Sequence, residues 1–303
     1  MSVMSWTARM YRDEQDLVAM RALVAANCAA GSVKDHVGDL TWGVFQNTVF
    51  NPHTSIRLCE DDGKLLGYVW VQHPSDVQWT LDPGLPEGDA VEQDLVGWGE
   101  AACEAALGTD ASNRMISTSA PDDLHERIAF ISSQGYARTD EIMHHFEQGL
   151  EVSLPEPMLP PGWTIRPVGN EDEWQARVDV HREVWHPSKV TLEAYRRLRR
   201  APGYDPDLDL VAVAPTGEFG AYCICWLDEH NRCAEFEPVG TRSTFRRLGV
   251  GKAVVIEGLR RLQQRGMRRA VVYTPDTNAP ATKLYLSAGF EIVNAHRLYS
   301  KAL

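Results

Sequence analysis

The 303-residue chain carries 30 basic and 42 acidic side chains, a formal net charge of −12, with 44% hydrophobic and 9% aromatic residues. That composition excludes collagen-like, disordered and disulfide-scaffold classes, and the length suffices for two domains with cores of their own. The longest apolar runs, 220–227 and 251–256, are too short to span a bilayer, and Arg9, Arg12, Asp13 and Glu14 interrupt the N-terminus before a secretory signal develops, so a cytoplasmic chain without membrane contact is expected.

In chain order, 7–10 reads as a strand and 13–30 as a helix. Strands at 54–60 and 64–72 flank the turn Asp62-Gly63, followed by a strand at 77–81, a helix at 90–107 and a strand at 114–118. A helix at 123–134 ends in Gly135, and YARTDE and IMHHFEQ follow as extended segments. Pro155, Pro157, Pro160 and Pro161 remove amide donors and fix the backbone, so 151–162 reads as a Pro-rich linker.

Beyond it, 164–168 is a strand, and helices run over 171–185 and 191–200. Strands at 208–215 and 217–227 meet at Pro215-Thr216-Gly217, and 233–240 is a further strand. A helix from 249 to 264 stops at Gly266, 268–275 is a strand, 278–289 is a helix ending at Gly289, and 290–303 makes two last short strands. The first half repeats this order, and FISSQGYAR (130–138) matches LYLSAGFEI (284–292), which points to an internal duplication with a period of about 150 residues.

Cys28, Cys59, Cys103, Cys223, Cys225 and Cys233 form no CxxC pair and no metal-ligand spacing, so reduced, buried thiols and no metal are expected. Charge is uneven. Residues 1–155 carry 9 basic and 24 acidic side chains, net −15, whereas 156–303 carry 21 and 18, net +3. An acidic half argues against nucleic acid as the partner.

Most chemistry lies in EFEPVGTRSTFRRLGVGKAVV, 235–255. A strand breaks at Pro238-Val239-Gly240, and a loop with Arg242, Arg246 and Arg247 leads to Gly249-Val250-Gly251 at the start of a helix. The glycines let backbone approach a ligand, and the first helical turn offers unpaired N–H groups at the positive end of the helix dipole. With Arg246, Arg247 and Lys252 alongside, a diphosphate is the natural ligand. A Walker A loop fails because Gly251-Lys252 precedes Ala253 and no glycine stands at 246; a dinucleotide fingerprint fails at Val254. What remains is R-x-x-G-x-G, made by Arg246, Gly249 and Gly251. Upstream, Glu235 and Glu237 alternate with Phe236 and so share one strand face; Glu237, nearest the break, is the candidate general base, provided that burial or a water relay raises its basicity.

With that loop, the strand before it, the helix after it, and Asn278 followed by KLYLSAGF (283–290), residues 163–303 resemble the GNAT acetyltransferase superfamily. The resemblance implies an α/β (α+β) fold with two GNAT-like domains. Each would be a mixed, mostly antiparallel central sheet flanked by helices, with a splayed strand pair holding acetyl-CoA. Residues 1–150 would be a degenerate copy and 163–303 the catalytic one. In the first copy the equivalent loop, 80–94, keeps Gly84 and Gly88 but offers Glu87 and Asp89 in place of arginines, each repelling a diphosphate by roughly 1–4 kcal/mol.

The implied activity is transfer of acetyl from acetyl-CoA to a primary amine of a small molecule by direct attack; the alternative is an acyl-CoA or small-molecule sensor without turnover. The implied cofactor contacts are Val239, Gly240, Thr241, Arg246, Arg247, Leu248, Gly249, Val250, Gly251, Lys252, Asn278 and Tyr285. Val239 would supply the oxyanion N–H, and Tyr285 would protonate the leaving thiolate. Glu235, His186 and Tyr204 would face the acceptor, for which the acidic first half suits a cationic amine. A monomer or homodimer is expected.

Overall fold

The computed structural model describes residues 6–31, 34–46, 48–73, 75–108 and 114–303. The first half forms β1 (Thr7–Met10), α1 (Glu14–Ala29), α2 (Val37–Phe45), α3 (Pro52–Ser55), β2 (Ile56–Asp61), β3 (Lys64–His73), β4 (Asp76–Leu81), α4 (Ala90–Leu107), β5 (Met115–Pro121), α5 (His125–Ser133) and β6 (Ala137–Gly149). The second half forms β7 (Thr164–Pro167), α6 (Glu171–Val184), α7 (Leu192–Leu198), β8 (Asp209–Val213), β9 (Phe219–Asp228), β10 (Cys233–Thr241), α8 (Val250–Gln264), β11 (Arg269–Pro275), α9 (Ala279–Ala288) and β12 (Glu291–Ala302).

Four elements differ from the sequence reading, one of them the short helix α3, which takes Pro52–Ser55 where no helix is expected. Helix α2 forms where no element is expected, with Val37, Leu40, Val44 and Phe45 buried at the i, i+3, i+7, i+8 spacing of one helical face. The two extended segments after Gly135 are one 13-residue strand, β6, and the two short strands expected at 290–303 are one 12-residue strand, β12.

The chain divides into two compact units that are not contiguous in sequence: 1–36, 50–143 and 294–303 form unit 1, and 37–49 and 144–293 form unit 2. Within unit 1 the strand order is β1-β2-β3-β4-β5-β12, followed by the start of β6. All its pairings from β1 to β4, and β5 with β12, are antiparallel; β4 and β5 are parallel and, among the described residues, pair at Asp76↔Ser117. Trp79, Val69, Leu95 and Ile116 lie in its core, against which α4 packs.

Unit 2 orders the end of β6, then β11, β10, β9, β8 and β7. Here β7, β8, β9 and β10 pair antiparallel, and β10 with β11 is parallel. Val254, Val255, Leu259 and Leu262 of α8 enter its core with Phe146, Phe236 and Phe290. The Pro-rich segment 151–162 has no helix or strand, and its Leu154 and Leu159 pack on this core. The Glu156–Arg260 ion pair at 2.8 Å fastens it to α8. All six cysteines are free thiols, five buried and Cys28 partly so. Among the described residues, no helix is long and apolar enough to cross a membrane.

Candidate active site

The site of unit 2 begins where two strands separate. β10 pairs with β11 only from Cys233↔Arg269 to Glu235↔Val271, while its pairing with β9 continues to Thr241↔Ala221 after a register shift between Phe236 and Val239. Beyond Glu235 the parallel strands therefore part, and the residues from Phe236 to Thr241 line one side of the opening. Gly240 is required there, because a Cβ would stand 2.6 Å from the Tyr222 ring.

The loop after β10 ends at Gly249, whose φ of +85° puts it in the left-handed region that favours glycine. Helix α8 starts at Val250, so the amides of Val250, Gly251 and Lys252 belong to a first turn without intrahelical acceptors. Gly251 brings the helix against β10: a Cβ there would meet Thr241 Oγ1 at 2.4 Å. Arg246, Arg247 and Lys252 are exposed, and none has a carboxylate partner among the described residues. Three free cations around a bare helix N-terminus and a glycine cradle are a donor set that fits a diphosphate. Leu248 is exposed, whereas the Val250 side chain lies in the core, so only its amide is available to a ligand.

Glu237 stands at the opening, half-buried, with its pKa pushed up to about 8 by burial and then by the negative charge of Asp39. Tyr285 of α9 is 5% exposed and sits between Phe146, at 5.6 Å, and Phe290, at 5.9 Å. Burial, followed by the Glu237 charge, holds its phenol above the ordinary tyrosine range, so the hydroxyl keeps its proton. Asn278 caps α9: its side chain accepts the Ala281 N–H at 3.3 Å.

Helix α2 packs against β10 beside the opening. Glu235 and Glu237 both face it, as the strand alternation requires, but with different results. Glu235 is 1% exposed and accepts the Asp39 N–H at 2.9 Å, so it secures α2 rather than standing open to an acceptor. Gly38 permits that approach, since a Cβ would come within 2.4 Å of Glu235 Oε2 and 2.7 Å of Trp226. Trp42 of α2 meets the His181 ring edge-on at 5.3 Å, and Trp185 stacks on the other side at 6.3 Å. Burial, then the charge of Arg177, pushes the His181 pKa down to about 3, which keeps the ring neutral. Its Nδ1 lies 2.8 Å from the Tyr222 hydroxyl.

Of the other two expected acceptor residues, one is exposed and one is tied into a buried network. His186 lies exposed in the loop after α6. Tyr204 instead donates to Asp209 Oδ2 at 2.9 Å and accepts from Arg199 at 2.8 Å. It is part of a network around the buried Arg177–Asp209 pair, which the sequence reading missed entirely and which also takes the Tyr195 hydroxyl at 2.6 Å. Arg177 carries that network to Tyr222, lying 3.8 Å over its ring.

Residues 171–290 match the family model described as Acetyltransferase (GNAT) family. Among curated proteins, a mycothiol acetyltransferase of Thermomonospora curvata is 28% identical over 244 residues, 76% of each chain. One of Saccharomonospora viridis is 29% identical over 180 residues, 55% of this chain and 58% of its own length, so this match spans little more than half of that relative. Among solved structures, a tandem GNAT protein from the clavulanic acid biosynthesis pathway aligns with a TM-score of 0.68 at 14% identity, covering 98% of both chains. A GCN5-related N-acetyltransferase from Sphaerobacter thermophilus aligns with a TM-score of 0.64 at 19% identity, covering 98% of this chain and 95% of its own.

Proposed function

We propose that unit 2, where residues 171–290 match the GNAT acetyltransferase family model, transfers acetyl from acetyl-CoA to a primary amine of a small molecule. The observation that carries this reading is Glu237, a carboxyl with a pKa of about 8, at the mouth of the β10/β11 opening and near the protonated Tyr285. A general base works best when its pKa lies near the operating pH, and an ordinary glutamate near 4.3 is far too weak for an ammonium.

In this reading the amides of 250–252 with Arg246, Arg247 and Lys252 hold the diphosphate of acetyl-CoA. Glu237 takes the proton of the incoming ammonium, the freed amine nitrogen bonds to the acetyl carbon while the carbon–sulfur bond breaks, and the proton this nitrogen sheds as it becomes an amide ends on the departing thiolate. The Val239 N–H stabilises the oxygen on which charge develops. Tyr285 offers its hydroxyl to the departing sulfur. Full transfer of that proton is uphill against a thiol of ordinary pKa about 8.5, so the phenol acts first as a hydrogen-bond donor.

Asp39 beside Glu237, with Trp42, His181 and Trp185 as aromatic walls, favours a cationic acceptor. The relatives' name puts mycothiol chemistry first among acceptors to be offered. Unit 1 is read as a copy without the cradle, because its loop has Glu87 and Asp89 and no arginine.

Calorimetric titration with acetyl-CoA, on the native chain and on Gly251→Glu, tests the cofactor half of the proposal. One site per chain that disappears in the variant is expected. Two sites would overturn the reading of unit 1, and no site would overturn the acetyltransferase reading.

A further inference from the structure

A cavity of about 210 Å³ opens in unit 1 where β4 ends. Its walls come from the end of β4, the loop 82–87, the C-terminal turns of α1 and the start of α5. Among the described residues β4 and β5 pair at Asp76↔Ser117, so the cavity at the end of β4 lies beyond the point where the parallel strands part. In strand order this is the counterpart of the β10/β11 opening in unit 2. Its chemistry is different.

Two cations are buried here beyond nine-tenths: Lys34 is 8% and Arg127 is 5% exposed, and both line the cavity. Arg127 lies 4.2 Å over the Trp79 ring and donates through Nη2 to the Trp79 carbonyl at 3.0 Å. Its Nε–H finds no acceptor among the described residues, an arrangement that native interiors rarely leave unmet. Lys34 meets Asp35 Oδ2 at 3.0 Å, which uses one of its three donors. Glu92, the nearby carboxylate behind Arg127, accepts from Trp79 Nε1 at 2.6 Å and from the Gly88 N–H at 2.5 Å, one bond on each oxygen. Glu87 and Glu126 stand exposed at the rim. The cavity thus holds two buried cationic donors, with the Asp35 carboxylate on Lys34 and the Glu87 and Glu126 carboxylates at its rim.

We propose that this cavity binds a small zwitterion of the amino-acid type, with its carboxylate on Arg127 and Lys34 and its ammonium toward Glu87 and Glu126. An incoming carboxylate completes the Arg127 Nε–H and forms a charge-assisted bond of the strong class. The volume is many times the roughly 10–15 Å³ that one water needs, so the cavity has room for a small molecule. The rim carboxylates repel a diphosphate but hold an ammonium.

Calorimetric titration of the full chain with glycine and β-alanine, and with acetate as the anion alone, tests this. A zwitterion is expected to bind at one site per chain roughly tenfold more tightly than acetate, and Glu87→Gln and Arg127→Lys are each expected to weaken it by about tenfold. Glu237→Gln, in unit 2, leaves it unchanged. Acetate binding as tightly as either zwitterion would reduce the cavity to an anion site and overturn the proposal. So would binding undiminished in both variants, binding lost in Glu237→Gln, or no saturable binding at all. Thermal melting accompanies Arg127→Lys because that residue is buried; Glu87→Gln, at the rim, keeps the test valid if the Arg127 variant fails to fold.

Discussion

The carboxylate of Glu235 in β10 accepts the backbone N–H of Asp39 at 2.9 Å, across 196 residues of sequence. A buried charge is thereby spent on the positive end of α2, where a helix leaves its first amides without partners. Glu235→Gln keeps the shape and loses the charge, so a destabilisation of about 1–3 kcal/mol is expected. Urea unfolding measures it. Because α2 packs against β10 beside the opening, KM for the amine should rise while KM for acetyl-CoA holds. Gly38→Ala should act in the same direction, since its Cβ would collide with Glu235 and Trp226.

Glu237 makes activity and stability oppose one another. Its pKa rises from 4.5 to about 8 on folding, so the folded state holds its proton more tightly than the unfolded one. The stability this contributes is fully present below pH 4.5 and is lost as pH rises through about 8. Glu237→Gln should therefore be more stable than the native chain at pH 9 by about 1–3 kcal/mol, less than the full 1.36 kcal/mol per pH unit because the side chain is partly exposed. Its kcat/KM should fall by about 10²–10⁴, and the rise of rate toward pH 8 should vanish. Melting curves and a pH–rate profile read both effects.

Asp39 is the second cause of that raised pKa. Asp39→Asn removes the like charge, so the midpoint of the pH–rate profile should move to lower pH. The same change should weaken cationic acceptors more than neutral ones. A midpoint that stays near pH 8 would mean that burial alone sets it.

Arg177 and Asp209 form an ion pair at 2.9 Å with side chains 2% and 0% exposed. Arg177→Met leaves the Asp209 charge buried with only the Tyr195 and Tyr204 hydroxyls, and a loss of about 3–5 kcal/mol is expected. Thermal unfolding checks it. Replacing both members with apolar residues should cost less than the single change, because the stranded charge disappears with its partner.

Much of unit 2 can be read locally. The turn of α8 is legible because Gly249 supplies a left-handed residue and Gly266 follows the helix end, and both signals lie within the segment itself. Alternation on β10 also placed Glu235 and Glu237 on one face. Their separate fates depend on α2, a helix from the first half of the sequence, and no local pattern states which core it joins. Asp39, Trp42 and Gly38 were missed for that reason. Tyr204 illustrates a related limit: its neighbours Arg199 and Asp209 are near in sequence, but the buried Arg177 that organises them is not. In unit 1, Lys34 lies in the connection after α1 and Arg127 reads as an ordinary residue of α5, so no local pattern marks the cavity they line.

The most direct measurement is release of CoA thiol from acetyl-CoA by the full chain against a panel of amines, with Glu237→Gln run in parallel. Amine-dependent thiol release, stronger for cationic acceptors and reduced by about 10² or more in the variant, is the predicted result. Acetyl-CoA that binds but never yields thiol with any amine, or release that Glu237→Gln leaves untouched, would contradict the assignment of unit 2 as an acetyltransferase with Glu237 as its base.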